Sequence, residues 1–339
     1  MAPPVVYPTA KQFIGVAKEV TPGTPVAMVA TLPIEKYDPE DKPTPLIDKS
    51  MRGSMVSEYA LIQGVKISDF SFNGPAYFDG LGYWLANILG DVVTTGASAP
   101  FSHAISVLNS GTGQPGTLTI TDWQGLPATN QARQFSGACL SELTIKGNAE
   151  SELITYDAKG MGWASVIAAA PPTSAPTVAL PLASWRSLLG IGGPATGGTL
   201  DSTIGDWEIK ISRVLKPIFT GQNSQNPFVI MRGEVSVAGK LSFAAPSTEA
   251  NALLTLLNNT QPQFQWTISN GLTLGALLSL QVDVQAAAFD TSKIDRGGEA
   301  VGYASTFKGI ASATNAGASG GVSPIKVTLG NALPASTYV

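Results

Sequence analysis

Charge is what this 339-residue chain has least of: Asp, Glu, Lys and Arg make up 13% of it, about half the ~25% usual in soluble domains. A soluble monomer normally wets its surface with charge, so the shortage implies that much of the exterior is covered, most simply by other copies. Basic residues number 20 against 24 acidic, for a net charge of −4, and form no run. Tight phosphate-backbone binding needs a basic cluster, so sequence-specific nucleic-acid recognition is not expected. The only cysteine, Cys139, excludes an internal disulfide, and its place in an alternating strand marks it as core. The only histidine, His103, would have to be the base of any Ser-His-Asp centre, yet no GxSxG elbow is present. One His and one Cys also fall short of a zinc site. The sequence therefore predicts no enzyme, no metal and no cofactor. No apolar run approaches the ~18 to 20 residues that cross a bilayer, so no membrane partner is expected. The opening MAPPVVYPTAKQF lacks the basic and apolar regions of a signal peptide, which predicts cytoplasmic synthesis.

What the chain does have is glycine (36) and proline (24), as expected of many turns between short strands, and a hydrophobic fraction of 44% that makes it globular. GTGQPG at 111–116 matches a dinucleotide-binding fingerprint by letter. The sequence TLTITDW that follows is a strand rather than the helix the motif needs, so the segment reads as a hairpin turn. Gly190, Gly192 and Ala195 are discounted because Pro194 interrupts them. Asp38, Glu40 and Asp41 lack the ligand spacing of a calcium loop and read as a solvated loop. The six tryptophans are spread along the chain rather than clustered as in a carbohydrate site.

The strongest pattern is internal repetition. Strand pair, short apolar helix and strand pair occur over 62–165 and again over 206–310. With Leu85 laid on Leu254, 169 positions on, the helix predicted at 78–89 falls on 247–258, and the strand at 66–76 falls on 235–245. The first helix carries Phe78, Leu81, Leu85, Ile88 and Leu89 on one face; the second has Ser247 as N-cap and Ala250, Leu253, Leu254 and Leu257 in one stripe. Leu278, Leu280, Val282 and Val284 alternate with polar residues, as in a sheet with one wet face. Val65 and Ile67 are out of phase with Phe70 and Phe72, which predicts a bulge near Ser68 and Asp69. The resulting division is an N-terminal arm and inter-subunit loop (1–50), a first unit (51–167), a Pro/Gly-rich linker (168–205) and a second unit with a C-terminal strand (206–339). The proline-rich residues 1–33 and 37–51 are expected to bridge subunits rather than pack on their own core.

These residues, in order, resemble the major tail tube proteins of long-tailed bacteriophages: QFIGVAKEVTPGTPVA near the start, FDGLGYWLANILGD, PFSHAISV, RQFSGACLSELTIKG with SELITYDAKGMGWAS, FVIMRGEVSVAGKLSF and the closing KVTLGNAL. The resemblance covers most of the chain. It implies a mainly β, sandwich or barrel-like fold with one flanking helix per unit, no catalytic residues, and hairpins that join around an axis. Rings would stack into a virion tube through which genome DNA passes without specific binding. Tape measure, tail terminator and distal tail proteins are the partners it implies. Two units per chain predict a pseudo-sixfold trimeric ring, with a hexameric ring as the alternative. Candidate channel-lining residues are Glu234, Ser236, Lys240 and Ser242; candidate inter-ring contacts are Gln12, Phe13, Asp38, Glu40 and Asp41. The competing readings are a lectin-like surface sandwich and a glycosidase.

Overall fold

The computed structural model describes residues 8–125, 132–150, 152–177, 179–196, 199–244, 246–270, 278–296 and 301–338, with side chains of the second helix described from residue 252. In chain order these form β1 (Phe13–Lys18), β2 (Ala30–Leu32), β3 (Lys36–Asp48), β4 (Ala60–Pro75), α1 (Gly80–Ile88), β5 (Gly90–Thr95), β6 (Phe101–Val107), β7 (Leu118–Trp123), β8 (Arg133–Asn148), β9 (Thr155–Gly162) and β10 (Val166–Ile167). They continue with β11 (Ser187–Ile191), β12 (Ile204–Ile218), β13 (Val229–Phe243), α2 (Pro246–Leu257), β14 (Phe264–Ser269), β15 (Ser279–Val284), β16 (Ala287–Asp295), β17 (Gly302–Gly309) and β18 (Lys326–Asn331). The fold is mainly β, and two sheets face each other as a sandwich.

The larger sheet runs β3-β4-β9-β8-β12-β13-β17-β16 with every pair antiparallel; the other end of β8 pairs with β10 and with β7, which leads to β1 and β2. The smaller sheet is β11-β14-β15-β18-β6-β5. Its central strand, β18, joins β15 of the second unit to β6 of the first. One hydrophobic cluster takes in Phe72, Leu85 and Leu143 from the first unit and Ile209, Val282 and Phe307 from the second.

The repetition expected from the sequence extends to strand order and register. The first unit reads β3-β4-β9-β8 and the second β12-β13-β17-β16. β4 maps on β13 at 169 positions and β3 on β12 at 170, which carries the hairpin register slip between Pro43 and Pro45 onto the slip between Arg213 and Leu215. β9 maps on β17 at 147 and β8 on β16 at 149, which carries the slip between Leu140 and Glu142 onto the one between Phe289 and Thr291. Two bulges kept at equivalent places bend both units alike. Each helix follows its hairpin, and α1 packs on β8 as α2 packs on β16.

Several expectations need correction. The phase change in β4 lies at Gly64 and Val65, opposite the slip in β3, not at Ser68 and Asp69; Ser68, Phe70 and Phe72 share the buried parity. Asp38 to Pro45 is strand rather than loop: it forms the edge of the sheet, where prolines 39, 43 and 45 withhold N–H groups that need no partner within the chain. GTGQPG is not a hairpin turn, because β6 and β7 belong to different sheets and the loop crosses between them. The N-terminal segment from Phe13 onward packs on its own core, with Ile14, Val16 and Leu32 buried. Within 168–205, local docking of Leu189 accompanies the linker reading: Leu182 and Leu189 are buried and β11 pairs with β14, whereas Trp185 stays exposed. His103, which the sequence leaves without a catalytic partner, is buried in mid-sheet, its Nδ1 2.8 Å from Thr94 Oγ1 and its Nε2 3.1 Å from Asn331 Oδ1.

One exchange between the units fixes their packing. Phe70 of β4 stands opposite Gly160 of β9; at the equivalent place Gly239 of β13 stands opposite Phe307 of β17. Each ring lies over a bare backbone, and a Cβ built on Gly239 would come within 2.1 Å of the Phe307 ring. Gly239→Ala is therefore expected to cost about 1–3 kcal/mol by overpacking. Gly239→Phe combined with Phe307→Gly, which copies the first unit's arrangement, should recover most of that loss. Denaturant midpoints of the variants check both, and additive losses in the double variant would contradict the exchange.

Candidate assembly surfaces

One face of the large sheet is buried in the sandwich and the other is polar from edge to edge, as period-two alternation requires. On the polar face, cations and carboxylates interleave: Lys42 with Asp69 at 2.8 Å, Lys146 with Asp157 at 2.7 Å, Lys210 with Glu142 at 2.7 Å and Lys240 with Glu208 at 2.8 Å. Lys36 with Asp38, Lys42 with Glu40, Lys159 with Glu142 and Lys308 with Asp290 extend the pattern at 3.2 to 3.9 Å. Burial would raise the Glu142 pKa, but Lys210 and Lys159 outweigh it and hold the carboxylate below its ordinary value. The face is thus charged in detail and nearly balanced in sum.

Glu234, Ser236, Lys240 and Ser242 all lie on this face of β13. Asp38 and Glu40 lie on it too, on β3. Asp41 has the opposite parity and serves its own subunit: its oxygens accept from Ser165 N at 2.9 Å, from Ser165 Oγ at 2.6 Å and from Arg133 Nη2 at 2.5 Å. Partial burial opposes its ionisation, yet the Ser165 and Arg133 hydrogen bonds leave its pKa lowered. Phe13 packs beside Trp123 within β1·β7, ring centroids 6.2 Å apart, and Gln12 is exposed just before β1.

Two long hairpins, β3·β4 and β12·β13, carry exposed apolar side chains: Leu46, Ile47, Leu61 and Ile62 on the first, Val214, Phe228 and Met231 on the second. Exposed apolar groups concentrated on projecting elements mark contact surfaces. The hairpins touch each other where Lys66 N donates to Gln225 O at 2.9 Å and Gln225 Nε2 to Gln63 O at 3.0 Å.

Two buried clusters escaped the sequence reading. Glu19, 4% exposed, accepts hydrogen bonds from Gly23 N (2.7 Å), Thr117 Oγ1 (2.6 Å), Thr119 Oγ1 (2.8 Å) and Gly137 N (2.8 Å), tying the GVAKEVTPGTPVA segment to β7 and β8. Arg213 and Arg232, from β12 and β13, reach into the first unit and donate to carbonyls. Arg213 bonds Ile88 O (2.9 Å) and Gly113 O (2.8 Å); Arg232 bonds Asn87 O (3.1 Å) and Pro115 O. Thus the GTGQPG loop is an acceptor for arginine and the carbonyl end of α1 is capped by the other unit.

Among the described residues the one histidine and the one cysteine are both buried. No group of three or more His, Cys, Asp or Glu side chains could hold a metal there, and Cys139 is buried with its pKa raised, first by burial. The subunit thus presents a polar, ion-paired sheet face, two hairpins with exposed apolar side chains and, among the described residues, sheet edges β3 and β16 with no strand outside them. Residues 9–330 match the phage tail tube protein family, so the chain belongs to that family and is a structural component of the phage tail. No curated protein matches the chain.

Proposed function

We propose that this chain closes into rings that stack as the tail tube, with the polar face of the large sheet lining a channel for genome DNA. The observation that carries the reading is the interleaved ion-paired face, which spans β3 to β16 within one subunit. A lumen for DNA needs a wetted wall without net phosphate grip, and lysines neutralised by neighbouring carboxylates supply it. Each chain contributes eight strands in two register-matched sets of four, so three chains would give six equivalent sets around a pseudo-sixfold ring. A hexamer of chains is the alternative closure. The tape measure, terminator and distal tail proteins are the further partners of such a tube, and the virion is its site of action.

Negative-stain microscopy of the purified protein tests this, with rings or tubes around a central hole as the expected result. A lectin-like module would stay a small oligomer and bind glycans on an array. The wall chemistry gives a second expected outcome. Assembled wild-type protein should not retain short duplex DNA at 0.15 M salt. The triple variant Glu142→Gln, Asp157→Asn, Glu208→Gln, which leaves four lysines uncompensated, should retain it with a steep salt dependence. Filter binding across a salt series reads this, and unchanged retention would contradict a DNA-facing wall.

A further inference from the structure

We propose that the exposed face of α2 and the outer edge of β16 form a docking site for the β3·β4 hairpin of a second copy, seated as the β12·β13 hairpin is seated on the first unit. The inference rests on the ring reading and adds the partner surface and its register. The chain already contains this junction once. β8, the last strand of the first set, receives β12, the first strand of the second, with Glu142 opposite Ser212 and Asn148 opposite Asp206. The matching strands β16 and β3 lie at the two ends of the same sheet, and among the described residues neither has a strand on its outer edge.

The helices report the same vacancy. Leu85 and Ile88 of α1 are 0% exposed, whereas Leu254 and Leu257, their equivalents at 169 positions, are 50% and 69% exposed. The carbonyl end of α1, moreover, is held by Arg213 and Arg232 of the second hairpin. Beside α2 lies an open groove of ≈ 610 Å³, lined by Leu254, Asn258, Leu200, Thr203 and Phe289. The first hairpin supplies exposed Leu46, Ile47, Leu61 and Ile62 to fill it. Pro43 and Gln63 stand where Arg213 and Arg232 stand in the second hairpin, so apolar contact rather than an arginine fork carries the intermolecular seat.

Transferring the β8·β12 register onto β16 and β3 sets Thr291 opposite Lys42, Lys293 opposite Glu40, Ile294 opposite Pro39 and Asp295 opposite Asp38. Lys293 and Glu40 form an opposite-charge pair. Ile294, 47% exposed, gains the apolar neighbour that Ile145 has in Ile209. Pro39 gives up one ladder bond and Asp38 meets a like charge, which makes the edge selective against other strands.

The test is a double variant, Glu40→Cys with Lys293→Cys, in the full chain, where buried Cys139 stays silent. Directly opposite residues have Cα atoms ~4.5–5.5 Å apart, within disulfide reach, so mild oxidation should yield a closed species of three chains on non-reducing gels. Lys36→Cys with Lys293→Cys, four residues out of register, should stay uncrosslinked. Leu257→Asp, at a site exposed in the single chain, should keep the circular dichroism of the fold while moving protein from rings to monomer in sedimentation. Rings that form without the Glu40–Lys293 crosslink, or that form equally well with Leu257→Asp, overturn the proposal and leave the ring reading standing. Absence of rings from the unmodified chain overturns both.

Discussion

Glu19→Ala is expected to lower folding stability by about 3–5 kcal/mol, because it strands two backbone N–H groups and two threonine hydroxyls in a space closed to water. Gly23, Thr117, Thr119 and Gly137 all point donors at one carboxylate. Glu19→Gln should fare little better: Gly23 N bonds one carboxylate oxygen and Gly137 N the other, so the new amide NH₂ must face an N–H. Burial raises the pKa of Glu19 above its ordinary 4.5 despite the four hydrogen bonds, which lower it. The native state therefore holds this proton more tightly than the unfolded chain. Its contribution to stability is complete below pH 4.5 and is lost as pH rises through the raised native value. Urea unfolding at several pH values should show Glu19→Gln losing that slope, and a slope identical to wild type would exclude Glu19 as its source.

Arg232→Leu is expected to cost about 2–4 kcal/mol and to loosen the two units from each other. Arg232 and Arg213 are buried without a carboxylate partner among the described residues, and their compensation is carbonyl oxygen: the negative end of α1 and the loop after β6. Burial, and then the neighbouring Arg232, push the pKa of Arg213 down to about 10, so it stays charged at neutral pH. Burial likewise lowers Arg232. Arg232→Lys should not rescue, because an ammonium cannot span the Asn87 and Pro115 oxygens as a planar fork does. Hydrogen exchange provides the diagnostic readout: amides of 113–118 and the last turn of α1 should exchange faster, while those of β14 and β15 hold. Uniform loss of protection would mean that the arginines serve global stability rather than this junction.

The repeat was legible because period and composition carry it: alternation in β12, β13 and β15, a short apolar helix after each hairpin, and one offset for strand and helix alike. The polar face of β13 was legible for the same reason. Other features depend on partners distant in sequence. Asp38 to Pro45 looked like a loop because three prolines argue against a central strand; only the sheet order reveals an edge that tolerates them. The bulge at Gly64 and Val65 was sensed as a phase change but placed four residues late, since apolar Ile67 sits on the polar face. Glu19, Arg213 and Arg232 gave no signal, because an isolated charge in a strand or turn reads as solvated until its acceptors or donors, some 100 residues away, are seen. The equal apolar stripes of the two helices concealed their difference, one covered by its own chain and the other open.

The number of chains in a ring is the most direct test of pseudo-sixfold closure. Electron cryomicroscopy of the assembled protein, viewed down the channel axis, is expected to resolve three chains with six alike lobes, β16 of each chain beside β3 of the next, and the face bearing Glu208, Lys210 and Lys240 turned toward the hole. A ring of six chains, or that face turned outward to solvent, would contradict it.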